Sequence, residues 1–383
     1  MDCIVVHYSE IGTKGRNKSF FEKQLSENIK KTLGNKVKKV YKGYSYVLCE
    51  LNKEYNETEI TLILSKVPGV AYFSYCIRTK LDIEEIKRVS IEMLGKEKFS
   101  SFKVSCKRSD KRFEKNSKEI NEILGEFICE NLKKNVNLKN PDIELFVNVC
   151  NKDVFIYTKK IKGVGGLPVG SSARIICSLS GGIDSPVASF LMMKRGCEVV
   201  FVHIYNKTIQ QGVLSKIDNL VKTLTKIQIK SKLYTVPFED IQKELIKTVN
   251  SECRMIIYRR FMIKIINEIA KKEKIKAMVT GDSVGQVASQ TIENLRCIYD
   301  ASEIPVLAPL IGTNKEEVID LAKKIGTYED SIQPYPDCCS FMIAKSPETK
   351  ARLETIKRIE DKIKNKEELI EKSILKSEIK EFC

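Results

Sequence analysis

Between residues 175 and 195 an apolar run passes through Ser180-Gly181-Gly182-Ile183-Asp184-Ser185-Pro186 into a helical pattern, and this succession constrains the fold most. Two adjacent glycines permit a tight turn and bring backbone N–H groups close to an anion. Pro186 suits the first turn of a helix, where no N–H is missed. The helix N-terminus and the Ser180 and Ser185 hydroxyls add donors for phosphate. Asp184 would otherwise repel phosphate, so a Mg²⁺ is its natural partner. The spacing is neither GxxxxGK[ST] nor GxGxxG. A chance Ser/Gly turn would not need the strand, the loop, the helix and Pro186 in this order.

Around the loop, apolar strands and helices alternate. Strands are expected at 173–179, 198–205, 232–237, 277–281 and 305–309, with helices over 186–195, 252–272 and 315–325. Continuous apolar strands alternating with helices indicate an α/β doubly wound parallel sheet covered on both faces. Its ligand lies beyond the carboxyl ends of the strands. That rim holds Ser178, Leu179, His203, Ile204, Gly281 and Asp282. His203 reads more simply as a strand-end residue packing an adenine-sized surface than as a general base. Arg259 and Arg260 lie on a helix, where one could reach a triphosphate or both could be solvated or ion-paired.

The amino-terminal half has a different pattern. Residues 3–8 form an apolar strand, Phe20, Phe21, Leu25 and Ile29 have helical spacing, and strands follow at 37–41 and 45–51. A second unit starts near Glu57, with helices over 60–66, 83–94 and 116–132, strands at 71–79 and 102–106, and a hairpin of 143–149 and 154–159. This half is α+β. Four glycines and a proline over 163–172 mark a boundary. The expected domains are therefore 1–56, 57–162 and 173–383, with 163–172 as linker. In the tail, 347–383, Leu353, Ile356, Ile359 and Ile363 form a stripe, so a docked or protruding helix is expected.

Charge separates the halves. The 383 residues carry +16; residues 1–165 hold 32 Lys+Arg against 22 Asp+Glu, a net +10. Such an excess favours a polyanionic partner over a merely lysine-rich surface. It is sharpest in Phe102-Lys103-Val104-Ser105-Cys106-Lys107-Arg108-Ser109-Asp110-Lys111-Arg112-Phe113. Alternation points Lys103 and Ser105 one way and Val104 and Cys106 the other. A loop is then expected to present Lys107, Arg108, Lys111 and Arg112 to a phosphate backbone. Lys159, Lys160 and Lys162 extend this surface.

Other classes are excluded. No run approaches the ~18 apolar residues of a membrane span, and the start lacks the basic and apolar regions of a signal peptide. Thirteen scattered cysteines form no CxxC pair, so a disulfide framework is not expected. A reducing, cytoplasmic setting fits, with most cysteines acting as small buried hydrophobes. With only His7 and His203, no multi-histidine metal centre is available. Cys338-Cys339, in a proline-flanked loop, is the best candidate for a reactive thiol; the alternative is two partly exposed structural cysteines. Adjacent residues do not suit a zinc site.

The Ser180–Pro186 loop looks like the SGGxDS loop of the PP-loop ATP pyrophosphatases. Over essentially its whole length the sequence resembles the ThiI tRNA sulfurtransferases, the 4-thiouridine synthetases. The motifs are His7-Tyr8-Ser9-Glu10-Ile11-Gly12-Thr13-Lys14-Gly15-Arg16-Asn17, similar to that family's ferredoxin-like segment, and the basic cluster with Ser117-Lys118-Glu119-Ile120-Asn121, similar to a THUMP RNA-binding domain. Gly165-Gly166-Leu167-Pro168-Val169-Gly170 and Val279-Thr280-Gly281-Asp282-Ser283-Val284-Gly285-Gln286-Val287-Ala288-Ser289-Gln290-Thr291 are narrower joins.

The resemblance implies ATP contacts at Ser178, Leu179, Ser180, Gly181, Gly182, Asp184, Ser185, His203, Ile204, Arg259, Gly281 and Gln290, with Mg²⁺ accompanying ATP. It implies tRNA as substrate and Cys339 as sulfur carrier, with Cys338 adjacent. Only 44 residues follow Cys339, too few for the rhodanese-like domain of some members. A cysteine desulfurase is therefore expected to load Cys339 directly, with Cys338, Cys383 or neither as resolving thiol. An iron–sulfur cluster, used by some archaeal relatives, lacks its CxxC here. The resemblance also suggests a homodimer and sulfur delivery for thiamine synthesis through a sulfur-carrier protein. The competing readings are another PP-loop adenylating enzyme, a ligase or amidotransferase, and a non-catalytic RNA-binding protein. The first needs neither the basic front half nor the cysteine pair, and the intact loop speaks against the second.

Overall fold

The computed structural model describes residues 1–43, 45–108, 114–150, 153–206, 211–334 and 344–383. The chain divides into two compact units, Met1–Pro168 and Val169–Cys383.

The first unit contains β1 (Cys3–His7), α1 (Lys18–Leu33), β2 (Val37–Lys42), β3 (Val47–Leu51), α2 (Glu57–Leu64), β4 (Tyr72–Lys80), α3 (Ile83–Leu94), β5 (Ser101–Arg108), α4 (Ser117–Leu132), β6 (Asn135–Val136), β7 (Ile143–Cys150), β8 (Asp153–Tyr157) and β9 (Ile161–Lys162). Helix starts follow the sequence. Asp82 accepts from the Glu84 N–H to open α3, and Asn116 and Glu119 close a reciprocal capping box on α4. The strands form one sheet in the order β2-β3-β1-β4-β8-β7-β5-β6, with β9 on β4. The nine-residue β4 joins the two halves of this sheet. Its first half pairs with β1, Cys3 opposite Cys76, and its second half with β8, Ile77 opposite Ile156.

Two apolar cores form on this sheet. Leu25, Ile29, Ile60 and Leu64 of α1 and α2 pack on Ile4, Val47 and Phe73. Ile86, Val89, Ile120 and Leu124 of α3 and α4 pack on Phe102, Val104, Leu145 and Val147. Each such side chain contributes about 1.5–3 kcal/mol on burial. The front part of the glycine-rich stretch is not free chain. The Gly163 N–H donates to Ala71, the Gly165 N–H to Val70 at 2.7 Å, and the Gly69 N–H to Gly165. Leu167 is buried in the first core.

The second unit contains β10 (Ile175–Ser178), α5 (Asp184–Met193), β11 (Val199–Tyr205), α6 (Gln211–Gln228), β12 (Ser231–Pro237), α7 (Glu239–Thr248), α8 (Ser251–Glu273), β13 (Met278–Val279), α9 (Ile292–Tyr299), β14 (Val306–Leu307), α10 (Lys315–Ile325), α11 (Tyr328–Ser331), α12 (Leu353–Glu360), α13 (Lys366–Leu375) and β15 (Glu378–Phe382). The sheet order is β14-β13-β10-β11-β12-β15. The first five strands are parallel. Helices α5 and α6 pack on one face; α7, α8, α12 and α13 build the core on the other, around Ile176, Val200, Tyr234 and Phe261. This is the expected doubly wound sheet. Strand β10 has β11 on one side and β13 on the other, so successive connections leave it in opposite directions. Its carboxyl end is the topological switch point.

Three expectations change. The strands expected at 277–281 and 305–309 shrink to Met278–Val279 and Val306–Leu307, so Gly281 lies in the following loop. The tail is docked, with Ile356 and Ile363 buried in the core, but it holds two helices rather than one, and then β15. That strand pairs antiparallel with β12, Glu378 opposite Thr235 and Phe382 opposite Ser231. Its charged residues hid it, because an edge strand needs backbone partners more than apolar faces. Finally, β5 continues through Arg108, so Lys107 and Arg108 stand on a strand and not on a loop.

Candidate active site

At the switch point the chain leaves β10 through Leu179 and turns at Gly181, whose φ is +85°, a conformation natural only to glycine. The loop is held by its own serines. The Ser180 N–H donates to Ser185 Oγ at 3.0 Å, the two hydroxyls lie 3.2 Å apart, and the Gly182 N–H donates to Ser180 Oγ at 3.3 Å. Asp184 and Ser185 open α5, so its N-terminal dipole faces the loop. The second wall comes from the segment after β13. Gly281 approaches so closely that a Cβ there would stand 2.8 Å from Ser185 N and 3.0 Å from the Asp184 carbonyl carbon.

A cavity of ≈ 540 Å³ opens against this loop. Ser178, Ser180, Asp184, Ser185, Arg259, Gly281 and Gln290 line it, together with Met255, Ile256, Met262, Thr280, Asp282, Val287 and Pro347. The polar groups are concentrated beside the loop and α8, and the methionines supply apolar wall. The size suits a nucleotide-sized ligand.

Within the cavity Asp282 gathers three donors. Its Oδ1 accepts from Arg259 Nη2 at 2.7 Å and Gln290 Nε2 at 2.9 Å; its Oδ2 accepts from the same Arg259 nitrogen at 2.8 Å and from the Tyr299 hydroxyl at 2.7 Å. Burial by itself raises the Asp282 pKa, but Arg259 and the bonds from Tyr299 and Gln290 hold the carboxyl below its ordinary range. Burial, then Asp282, pushes the Tyr299 phenol up, so it remains a donor. Asp184 is bridged from the other side: Lys315 Nζ donates to Oδ1 at 2.7 Å and Gln286 Nε2 to Oδ2 at 3.0 Å.

Other residues fall elsewhere. Leu179, His203 and Ile204 are buried and do not line the cavity. His203 Nδ1–H donates to the Leu179 carbonyl at 2.7 Å, anchoring the start of the loop from behind. Of the two adjacent arginines, Arg259 faces the cavity. Arg260 is buried in an ion-pair cluster with Asp300 at 3.1 Å and with Glu360, so its work is to hold α12. Among the described residues no group of three or more His, Cys, Asp or Glu could hold a metal ion.

In the first unit, Lys103, Ser105 and Lys107 share the sheet face turned away from α3 and α4, as alternation along β5 requires. Lys103 lies 3.8 Å from Glu144, and Lys160 stands over the Phe146 ring at 3.6 Å. Burial lowers the Lys160 pKa, and Lys107 and Lys103 reinforce this against Glu144. The same crowding, after burial, brings His7 down to about 4. Positive charge thus converges on one surface. Arg108 instead donates to the Lys115 carbonyl at 2.9 Å.

Residues 170–365 match the family model described as thiamine biosynthesis protein (ThiI), residues 3–74 the ThiI ferredoxin-like domain, and residues 80–159 the THUMP domain. A probable tRNA sulfurtransferase of Acetivibrio thermocellus is 41% identical, with 98% of this chain and 97% of that one aligned. That of Natranaerobius thermophilus is 38% identical, over 99% and 95%. The chain belongs to the ThiI family. Among solved structures, a 4-thiouridine synthetase in complex with RNA and bound ATP superposes with a TM-score of 0.90 at 34% identity, covering 100% of both chains.

Some residues singled out in the sequence lie outside the described residues: Cys338, Cys339, Lys111 and Arg112. Others were missed in the sequence. Lys315 reads in the sequence only as a helix start, although it follows the carboxyl end of β14, on the rim where ligands bind. Gln286 and Tyr299 have no local signature, since only the fold brings them to Asp184 and Asp282. No helix among the described residues is long and apolar enough to cross a membrane.

Proposed function

We propose that the chain is an ATP-dependent tRNA sulfurtransferase that replaces O4 of a uridine, position 8 of tRNA, by sulfur to give 4-thiouridine. The observation that carries this is the full-length likeness to the ATP-bound 4-thiouridine synthetase–RNA complex, joined to a cavity at the Ser180–Ser185 loop that fits a nucleotide. The domain division expected from the sequence, 1–56, 57–162 and 173–383, serves this work as an amino-terminal platform, an RNA-binding module and a catalytic module.

The uridine O4 is a poor leaving group. Its attack on the α-phosphorus of ATP forms an O4–P bond, breaks the bond to the β-phosphate oxygen and releases pyrophosphate. The Ser180–Ser185 loop and the α5 N-terminus hold the phosphates with backbone N–H and hydroxyl donors, and Arg259 lies where it can join them. Asp184, the carboxylate of this loop, suits a Mg²⁺ that keeps several waters and takes its other ligands from ATP phosphates. Bound there, the ion would neutralise charge on the triphosphate.

Sulfur then enters at C4 and AMP leaves. Cys339 carries it as a persulfide loaded by a cysteine desulfurase. The terminal sulfur attacks C4 directly, or a second thiol reduces the persulfide to hydrosulfide, which attacks. In the direct route the mixed disulfide is cleaved by another thiol, Cys338 or Cys383, leaving sulfur on the base and a disulfide in the protein for an external reductant. Ala344 lines the cavity, and Cys339 is five residues before it, a length that spans at most about 18 Å. Lys103 and Lys107, with Lys160, form part of the tRNA grip, to which Arg108, Lys111 and Arg112 belong. The setting is cytoplasmic and the assembly a homodimer. The same persulfide serves thiamine synthesis through a sulfur-carrier protein.

The test is pyrophosphate release from ATP with and without unmodified tRNA. Release that requires tRNA and disappears in Asp184→Ala supports the reading; release indifferent to tRNA would favour a small-molecule adenylating enzyme.

A further inference from the structure

Arg259 lines the cavity with a side chain 19% exposed, while its partner Asp282 is 5% exposed. Both line the cavity, and the carboxylate is the more buried of the pair. Both its oxygens accept from the same Nη2 atom, so Nη1 and Nε of Arg259 have no partner among the described residues. Asp282 is itself fixed from two sides. The Tyr299 hydroxyl bonds Oδ2 and in turn lies 3.2 Å from Thr280 Oγ1; Gln290 Nε2 bonds Oδ1. Among the described residues the side chain of Gln290 has no other partner, its Oε1 being buried and unmet. Three residues, Arg259, Gln290 and Tyr299, thus converge on one carboxylate.

We infer that Asp282, locked by Tyr299 and Gln290, is a positioning residue that holds the Arg259 guanidinium with its remaining N–H groups toward the triphosphate. A guanidinium offers planar, paired donors to phosphate, and their value depends on orientation. A free arginine on a long helix would have to order its side chain on binding, at a cost in rotamer freedom. Asp282 has removed that freedom before the nucleotide arrives. The inference rests on the proposed use of ATP. It differs from it in assigning Asp282 an orienting task rather than a contact with the nucleotide.

The test uses the full-length chain and calorimetric binding of α,β-methylene-ATP and of adenosine. Asp282→Asn should weaken the triphosphate analogue at least tenfold and adenosine less than twofold. Tyr299→Phe, a milder change that leaves the ion pair in place, should weaken the analogue about threefold with the same selectivity. In an Arg259→Leu background Asp282→Asn should cost nothing further, because its only route to the phosphates is gone. Equal losses for analogue and adenosine, additive losses in the double variant, or no loss at all would overturn the assignment. If the unmodified chain binds neither compound, the ATP reading itself fails, a result distinct from any of these.

Discussion

At the scale of single residues, the site depends on where side chains are absent as much as on where they are present. Gly281 is the clearest case, since a methyl group there meets backbone atoms of Ser185 and Asp184 at 2.8–3.0 Å. Neither atom is the end of a flexible side chain, so the loop itself must move. Gly281→Ala is expected to cost about 1–3 kcal/mol of stability and to weaken ATP at least tenfold, measured by thermal unfolding and by nucleotide titration. Unchanged affinity would show that the loop tolerates the shift. The adjacent Arg259 and Arg260 make the complementary point. The sequence leaves both open for the same task, and only the packing of α8 against α12 sends Arg260 to Glu360 and Arg259 to the cavity.

At the scale of elements, the sheet of the second unit is tied at the end opposite the site. Glu273, at the end of α8, accepts from Arg174 Nη2 and Lys232 Nζ, each at 2.9 Å, and from the Tyr234 hydroxyl. Burial alone raises its pKa, but these three partners bring it down to about 2 from 4.5. A carboxyl lowered in this way adds stability that is fully present above about pH 4.5 and is lost as pH falls toward 2. Glu273→Gln should lower the melting temperature at neutral pH and flatten its decline over that window; an unchanged profile would mean that the cluster adds no net stability. How much of this architecture is legible in sequence follows from the same physics. Helices with caps and an apolar stripe, such as Ile83–Leu94 and Lys315–Ile325, are read to the residue. The buried parallel strands are read from their apolar runs. Strand β15 is not, because at an edge the backbone pairing with β12 does what an apolar face does elsewhere. The ligand loop is legible because its chemistry is local. The Asp282 cluster is not, since Arg259, Gln290 and Tyr299 are brought to it by three separate elements.

At the scale of the whole molecule, the charge asymmetry divides the labour. The net +10 of residues 1–165 lies in the unit that carries Lys103, Lys107 and Lys160, and the nucleotide-sized cavity lies wholly in the other. Binding of tRNA should therefore fall linearly on a plot of log affinity against log salt. The fragment 169–383, a compact unit with its own core, should keep nucleotide binding and lose tRNA binding. A fragment that still binds tRNA as tightly as the full chain would contradict this division. The central claim, that nucleotide activation and sulfur carriage meet on one tRNA uridine, is tested most directly by the near-ultraviolet absorbance of 4-thiouridine. Unmodified tRNA is incubated with the chain, ATP, Mg²⁺, a cysteine desulfurase and cysteine. The account predicts that the absorbance appears only with ATP and tRNA together and is lost in Cys339→Ser. No absorbance with the unaltered chain, or full absorbance with Cys339→Ser, would contradict it.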